Sequence, residues 1–262
     1  MEKVRAFLAR KNITFSAKRY FIDAMSAMAQ GLFCTLLVGT ILDTIGKQFG
    51  IGFLTDTFLT IKQGDVTFYY TIGGFCSLMV GPAMAVAIGK ALEAPPLVLF
   101  SLITVGFATN VLGGTGGPLA VFFVAILAAE VGKAISKETK IDILVTPIVT
   151  ILAGIGFAAL VARPIGTAAT SVGDAIKWAT ELQPFFIGVA LTLPISSAAI
   201  CASLGLTGLA GGAAVAGCCA QMVGFAVMSF RENRWGGLVA QGIGTSMLQM
   251  GNIVRNVRIW IP

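Results

Sequence analysis

The stretch Ile141–Val161, IDILVTPIVTILAGIGFAALV, carries one charge, Asp142, near its start. A helix needs roughly 20 mainly apolar residues to cross a hydrocarbon core of about 30 Å, and this stretch supplies them. Ala24–Ile45, Thr67–Gly89 and Thr207–Phe230 are further candidate spans. Leu97–Val111 and Pro118–Ala134 are individually short, and Phe185–Ile200 carries Pro194 in its middle. The whole chain is 56% hydrophobic and 11% charged, with a mean hydropathy of +0.89. A soluble domain covers its surface with about a quarter charged residues, which this chain lacks. The expectation is an all-α polytopic transmembrane protein with broken or re-entrant helices, surrounded by membrane lipid.

Charge places the chain in that membrane. Residues 1–22 read as a basic cytoplasmic or interfacial segment, and 23–262 as the transmembrane domain. Lys3, Arg5, Arg10, Lys11, Lys18 and Arg19 precede the first span, as the positive-inside rule requires of a cytoplasmic N-terminus. No small-residue cleavage site closes a short apolar core, so the first span reads as retained. The net charge of +6 does not signal nucleic acid, because aromatic and basic residues do not interleave. Lys133, Lys137 and Lys140 outnumber Glu138 and Asp142, and Arg231 and Arg234 outnumber Glu232. Those loops belong inside. Arg163 and Lys177 are balanced by Asp174 and Glu181, which puts 163–181 outside. Return to an inside Arg231 demands an odd number of crossings from two apolar pieces, so either one piece enters and leaves by one face or Arg231 lies outside. Pro194, followed by Ser196 and Ser197, favours the first for Phe185–Ile200.

Two backbone breaks stand out: Gly113-Gly114-Thr115-Gly116-Gly117-Pro118 and Leu193-Pro194-Ile195-Ser196-Ser197. Irregular backbone survives in a bilayer only where protein or a water-filled cavity covers it, and paired interruptions of this kind point to a transporter's solute site. The bland alternatives are a tight interhelical loop at the glycine run and a simple kink at Pro194. Asn110, Glu130 and Gln221 are the polar groups within spans. Glu130 is either a buried functional acid or the partner of Lys133 one turn away. Asp43 reads as interfacial. Gly205–Gly217 reads first as close helix packing. The five cysteines, Cys34, Cys76, Cys201, Cys218 and Cys219, form no C-x-x-C pair, and the chain has no histidine. They read as small buried hydrophobes rather than a zinc or redox site, and no cofactor is expected.

GGTGGP (Gly113–Pro118), AAEVGKAISKETKIDILVTPIVT (Ala128–Thr150), LTLPISSAAI (Leu191–Ile200) and GCCAQMVGFAVMSFRENRWGGLVAQGIGTSMLQM (Gly217–Met250), with the tail NIVRNVRIWIP, carry a family resemblance. Together they resemble the enzyme IIC-like permeases of the bacterial phosphotransferase system, in the branch that includes perfringolysin O regulator-like proteins. The resemblance implies a homodimer in the bacterial inner membrane, with re-entrant hairpins around a sugar site. It also implies transport coupled to phosphate relay by separate carrier subunits. Sugar permeases of this system place a histidine and a glutamate at the sugar; the absence of histidine here is a departure. Family members continue past Ile259-Trp260-Ile261-Pro262, so this apolar stop reads as a truncated end.

On this reading Asn110, Thr115, Ser196, Ser197 and Gln221 bind sugar hydroxyls, with Glu130 as a strong acceptor. Gly113, Gly114, Gly116, Gly117 and Pro194 free backbone groups beside them. No catalytic residue is expected: no soluble carrier domain of about 50 residues or more fits between the spans, and the apolar cysteines are poor thiolates. The competing reading is a membrane-embedded solute sensor acting through a partner. An intramembrane hydrolase is disfavoured, since a serine nucleophile here has no histidine base.

Overall fold

The computed structural model describes residues 2–63, 66–182 and 208–244. Apolar, proline-punctuated segments build its helices in chain order. α1 is Glu2–Arg10, and α2 runs unbroken over Lys18–Phe49 with π-turns at Lys18–Asp23 and Phe33–Leu37. A short α3, Gly52–Thr55, leads to the strands β1, Leu59–Gln63, and β2, Val66–Tyr70, which pair antiparallel from Leu59↔Tyr70 to Gln63↔Val66. There follow α4, Ile72–Leu78; α5, Val80–Ala91; α6, Pro96–Gly113; α7, Gly117–Ile135; α8, Asp142–Leu182; and α9, Gly208–Val239. Among the described residues, four helical runs are long and apolar enough to cross a membrane, or five if the bent pair α4–α5 counts as one span.

Several span boundaries differ from those read in the sequence. The second span does not begin at Thr67: the β-branched and aromatic run from Val66 to Tyr70 is a strand, and the helix starts only after Thr71. Thr71 caps it, its Oγ1 accepting from Gly74 N–H at 3.1 Å. This span is also bent by 49° between Leu78 and Val80. Pro82 explains the break, because it has no N–H to donate to the Leu78 carbonyl one turn back. The fourth span does not end at Val161. Residues 163–181, read as a loop, continue α8 as helix. At Arg231–Arg234 two helical segments of α9 meet across a break, with Arg234 at φ 50° and ψ −143°. Phe185–Ile200, with Pro194, Ser196 and Ser197, lies outside the described residues, as does Cys201.

The core is made where small residues let helices touch. α5 packs on α2 and α6, α6 on α7, and α8 lies along both α6 and α7. Met84, Ile88, Val98, Leu102, Val105, Val121 and Val124 are fully buried at the centre. The opposite face of α6 turns Phe100, Ile103, Phe107 and Val111 outward, at the three- and four-residue spacing of a helical stripe. A helix apolar on both faces has one side for protein and one for lipid. The cysteines follow the outer pattern rather than the expected buried one: Cys34 and Cys219 are exposed, and Cys76 and Cys218 half-buried. Thr109 and Thr150, buried among apolar neighbours, return their hydroxyl hydrogen to the carbonyls of Val105 and Thr146 at 2.7 Å.

Candidate functional site

The glycine run is a tight reversal between α6 and α7, completed by a 3-10 turn over Gly114–Gly116. Gly114 sits at φ 55°, ψ −127°, a conformation open to glycine because it has no Cβ. Gly116 needs the same absence for a different reason. A Cβ there would lie 2.7 Å from the Gly166 Cα of α8. Thr115 lies in this turn.

Asn110 lies one turn before the reversal. A Cβ on Gly117 would collide with the Asn110 carbonyl and lie 2.6 Å from its Oδ1, and a Cβ on Gly81 would lie 2.6 Å from Asn110 Cβ. The half-buried Asn110 is therefore wedged between the glycine turn and the bend of α4–α5. These are two interruptions of regular backbone, brought together by tertiary packing. Sequence reading singled out the first and passed over the second. The signal was present in Gly81-Pro82, the one proline in that span.

Glu130 is not part of this junction. α7 rises about 20 Å between Gly117 and Glu130 at 1.5 Å per residue, which puts the acid at the other end of the hairpin. There its carboxylate is already held, Oε2 by Lys133 Nζ at 3.0 Å and Oε1 by the Tyr20 hydroxyl at 3.1 Å. Gln221 is half-buried on α9, which touches α8.

The Glu130 end is a second polar centre, built by the N-terminal segment. After α1 the chain does not float free of the bundle. Ile13 is buried, and the flanking polar groups stitch the segment to two interhelical turns. Arg19 donates to the Leu92 carbonyl at 2.6 Å, and the Asn12 amide donates to Glu93. Lys11 donates to the Ser136 carbonyl, while Lys11 and Arg10 both reach Glu138 Oε1, at 2.5 and 2.6 Å. Lys133, read in the sequence as a loop charge, is buried instead. It donates to the carbonyls of Asn12, at 2.8 Å, and Leu92, at 3.0 Å. These are carbonyls at helix ends, which lack intrahelical partners and attract cations. The hydrogen bond from Lys11, with Arg10 alongside, holds the Glu138 carboxyl below the usual carboxylate range.

Asn12, Glu93 and Lys137 line a cavity of about 340 Å³ at this end, and all three adopt left-handed backbone, at φ 53°, 55° and 62°. They follow the C-termini of α1, α5 and α7, where glycine is the usual choice. The three helices thus end on one chamber.

No curated protein and no solved structure matches the chain. A family model does match it, over residues 22–262: phosphotransferase system, EIIC. A chain of apolar helices, with a bent span and a glycine reversal enclosing an amide, matched over nearly its whole length, belongs to the phosphotransferase system EIIC family and is a membrane permease component of that system.

Proposed function

We propose that this permease component binds and translocates a sugar-like solute across the bacterial inner membrane, as a homodimer served by separate phosphate-carrier subunits. The observation that carries the reading is the meeting of two backbone breaks at Asn110. Its amide has two donors and an acceptor for hydroxyl groups, and the freed backbone on either side supplies more. Thr115, whose backbone forms the 3-10 turn beside Asn110, is assigned to the same solute. Ser196, Ser197 and Gln221 are assigned to the solute by their chemistry alone. Glu130 is assigned a different role, holding Lys133.

Replacing Asn110 by Ala is expected to weaken solute binding by about tenfold or more, the equivalent of one or two hydrogen bonds at about 1–1.5 kcal/mol each. The folded state loses little, since the side chain is only half-buried. A thermal-shift screen against a sugar library identifies the solute, and titration of parent and Asn110→Ala protein then measures the loss. Equal affinities would remove Asn110 from the site. A solute that binds but never crosses a vesicle membrane, with carriers present, would favour the sensor instead.

Orientation is proposed on the same charge asymmetry, now seen in three dimensions. The N-terminal segment and the turns around Leu92 and Ser136 share one end, with Arg10, Lys11, Arg19, Lys133 and Lys137. Positive charge marks that end as cytoplasmic. α8 leaves from it and runs 41 residues, about 60 Å at 1.5 Å per residue, twice the hydrocarbon thickness. Its far end therefore emerges outside. In a cysteine-free background, Lys140→Cys should react with a membrane-impermeant maleimide only from the cytoplasm and Lys177→Cys only from outside. Labelling of position 177 from the cytoplasm alone refutes this orientation.

A further inference from the structure

We infer that the cavity beneath the N-terminal segment binds a phosphate group, the Glu138 carboxylate occupying the anion position until the phosphate displaces it. The inference stands apart from the solute site, which lies at the other end of the α6–α7 hairpin. Four cationic side chains, Arg10, Lys11, Lys133 and Lys137, line the cavity against two carboxylates, Glu93 and Glu138. Glu93 is held in place by the Asn12 amide. Lys133 is committed to carbonyls and Glu130, and with Arg19 it covers the Leu92 end of α5. Lys11 covers the Ser136 carbonyl beyond α7. The negative helix ends are thereby masked from an incoming anion.

What remains is an anion site with a carboxylate in it. Arg10 Nη2 and Lys11 Nζ converge on a single oxygen, Glu138 Oε1, at 2.6 and 2.5 Å. The Lys11 side chain is only 9% exposed, while that of Glu138 is 38% exposed and sits in the turn after the left-handed Lys137. Burial fixes Lys11, while Glu138 and the 63% exposed Arg10 are free to swing, so the carboxylate can leave and Arg10 can follow an incoming anion. A phosphate monoester carries a charge of about −1.5 to −2 with three acceptor oxygens. It can therefore take Arg10, Lys11 and Lys137 together, where a carboxylate of charge −1 takes two. Charge-assisted bonds of this type are roughly twice as strong as neutral ones. The volume of about 340 Å³ leaves room for a small organic group beyond the phosphate. Such a group can belong to a soluble phosphate ester, or to an anionic lipid whose headgroup lies at this end of the bundle.

The test measures equilibrium binding of radiolabelled glycerol 3-phosphate to the purified protein in neutral detergent, at constant ionic strength in chloride. A second arm measures retention of phosphatidylglycerol against phosphatidylcholine by native mass spectrometry. Saturable binding in either arm is expected, and the arm that responds identifies the source. Arg10→Gln and Lys11→Gln should each weaken it about tenfold, the loss of one charge-assisted bond. Glu138→Gln should tighten it severalfold, because the competing charge is gone. That gain is the discriminating result, since a purely structural ion pair predicts none. Should Lys11→Gln fail to fold, as judged by its unfolding midpoint, Lys137→Gln carries the same expectation. Absence of saturable binding in both arms overturns the inference. So does a Glu138→Gln protein that binds no more tightly than the parent.

Discussion

Substituting Lys133 by Met is expected to destabilise the protein by about 3–5 kcal/mol, the usual penalty for removing one partner of a buried ion pair. Lys133 is 2% exposed, and its side chain is enclosed by α7 and the segments around Asn12 and Leu92. Met matches its apolar stem, so the loss isolates the ammonium group. Three acceptors lose their donor at once: Glu130 Oε2 at 3.0 Å, the Asn12 carbonyl at 2.8 Å and the Leu92 carbonyl at 3.0 Å. Glu130 Oε2 is buried and has no other partner among the described residues. Adding Glu130→Gln to the Met variant should restore part of the loss, since a neutral amide no longer carries an uncompensated charge. The Tyr20 hydroxyl can still donate to its oxygen. Unfolding of the detergent-solubilised protein, followed by near-ultraviolet circular dichroism against denaturant, measures both. A Met variant within about 0.5 kcal/mol of the parent, the range of an ordinary surface change, would show that the cluster contributes no stability.

The second large effect is expected at Gly106. Helices α5 and α6 cross with their backbones in contact, and neither has room for a side chain. A Cβ on Gly106 would overlap the Gly81 carbonyl oxygen and lie 2.8 Å from its carbon and 2.7 Å from Ala85 Cβ. The reciprocal clash holds for Gly81, whose Cβ would lie 3.0 Å from the Gly106 carbonyl carbon. Backbone atoms in two packed helices cannot rotate aside, so the helices must separate. Overpacking of this kind costs about 1–3 kcal/mol for small groups, and Gly106→Val should exceed that range and abolish a monodisperse folded species. Gly156, in α8, is the matched control, with open space where a Cβ would be. Gly156→Ala should be neutral or stabilising by up to about 1 kcal/mol through helix propensity. Size-exclusion profiles and unfolding midpoints of Gly106→Ala, Gly106→Val and Gly156→Ala settle the comparison. Equal midpoints for the two alanine variants would show that α5 and α6 separate without cost. The same crossing seats Asn110 against Gly81, so a change at Gly106 that folds at all should also disturb the solute site proposed at Asn110.

The membrane class, the helices α6, α7 and α8, the reversal at Gly113–Gly117 and the basic bias of one end were legible in the residues alone. Each is a local quantity. Transfer of an apolar window into lipid is a sum over its own residues, and a turn is set by the glycines that form it. The start of the second span was misread because Val66–Tyr70 is as apolar as a helix would be; its pairing with Leu59–Gln63 makes it a strand. The continuation of α8 through 163–181 was misread because its balanced charges resemble a loop, yet the helix accommodates them and Pro164 as well.

Tertiary structure alone decided which polar groups share a site. Asn110 meets Gly81, Lys133 meets Leu92 and Asn12, and Lys11 meets Ser136, across separations that no window of sequence spans. Helices apolar on every face carry no amphipathic stripe to announce which side packs inward. Inside a bilayer, helix association follows close contact between small residues and satisfaction of the few polar groups, not burial of a marked face. For that reason Glu130 and Asn110, equally conspicuous as polar residues in apolar surroundings, parted to opposite ends of one hairpin.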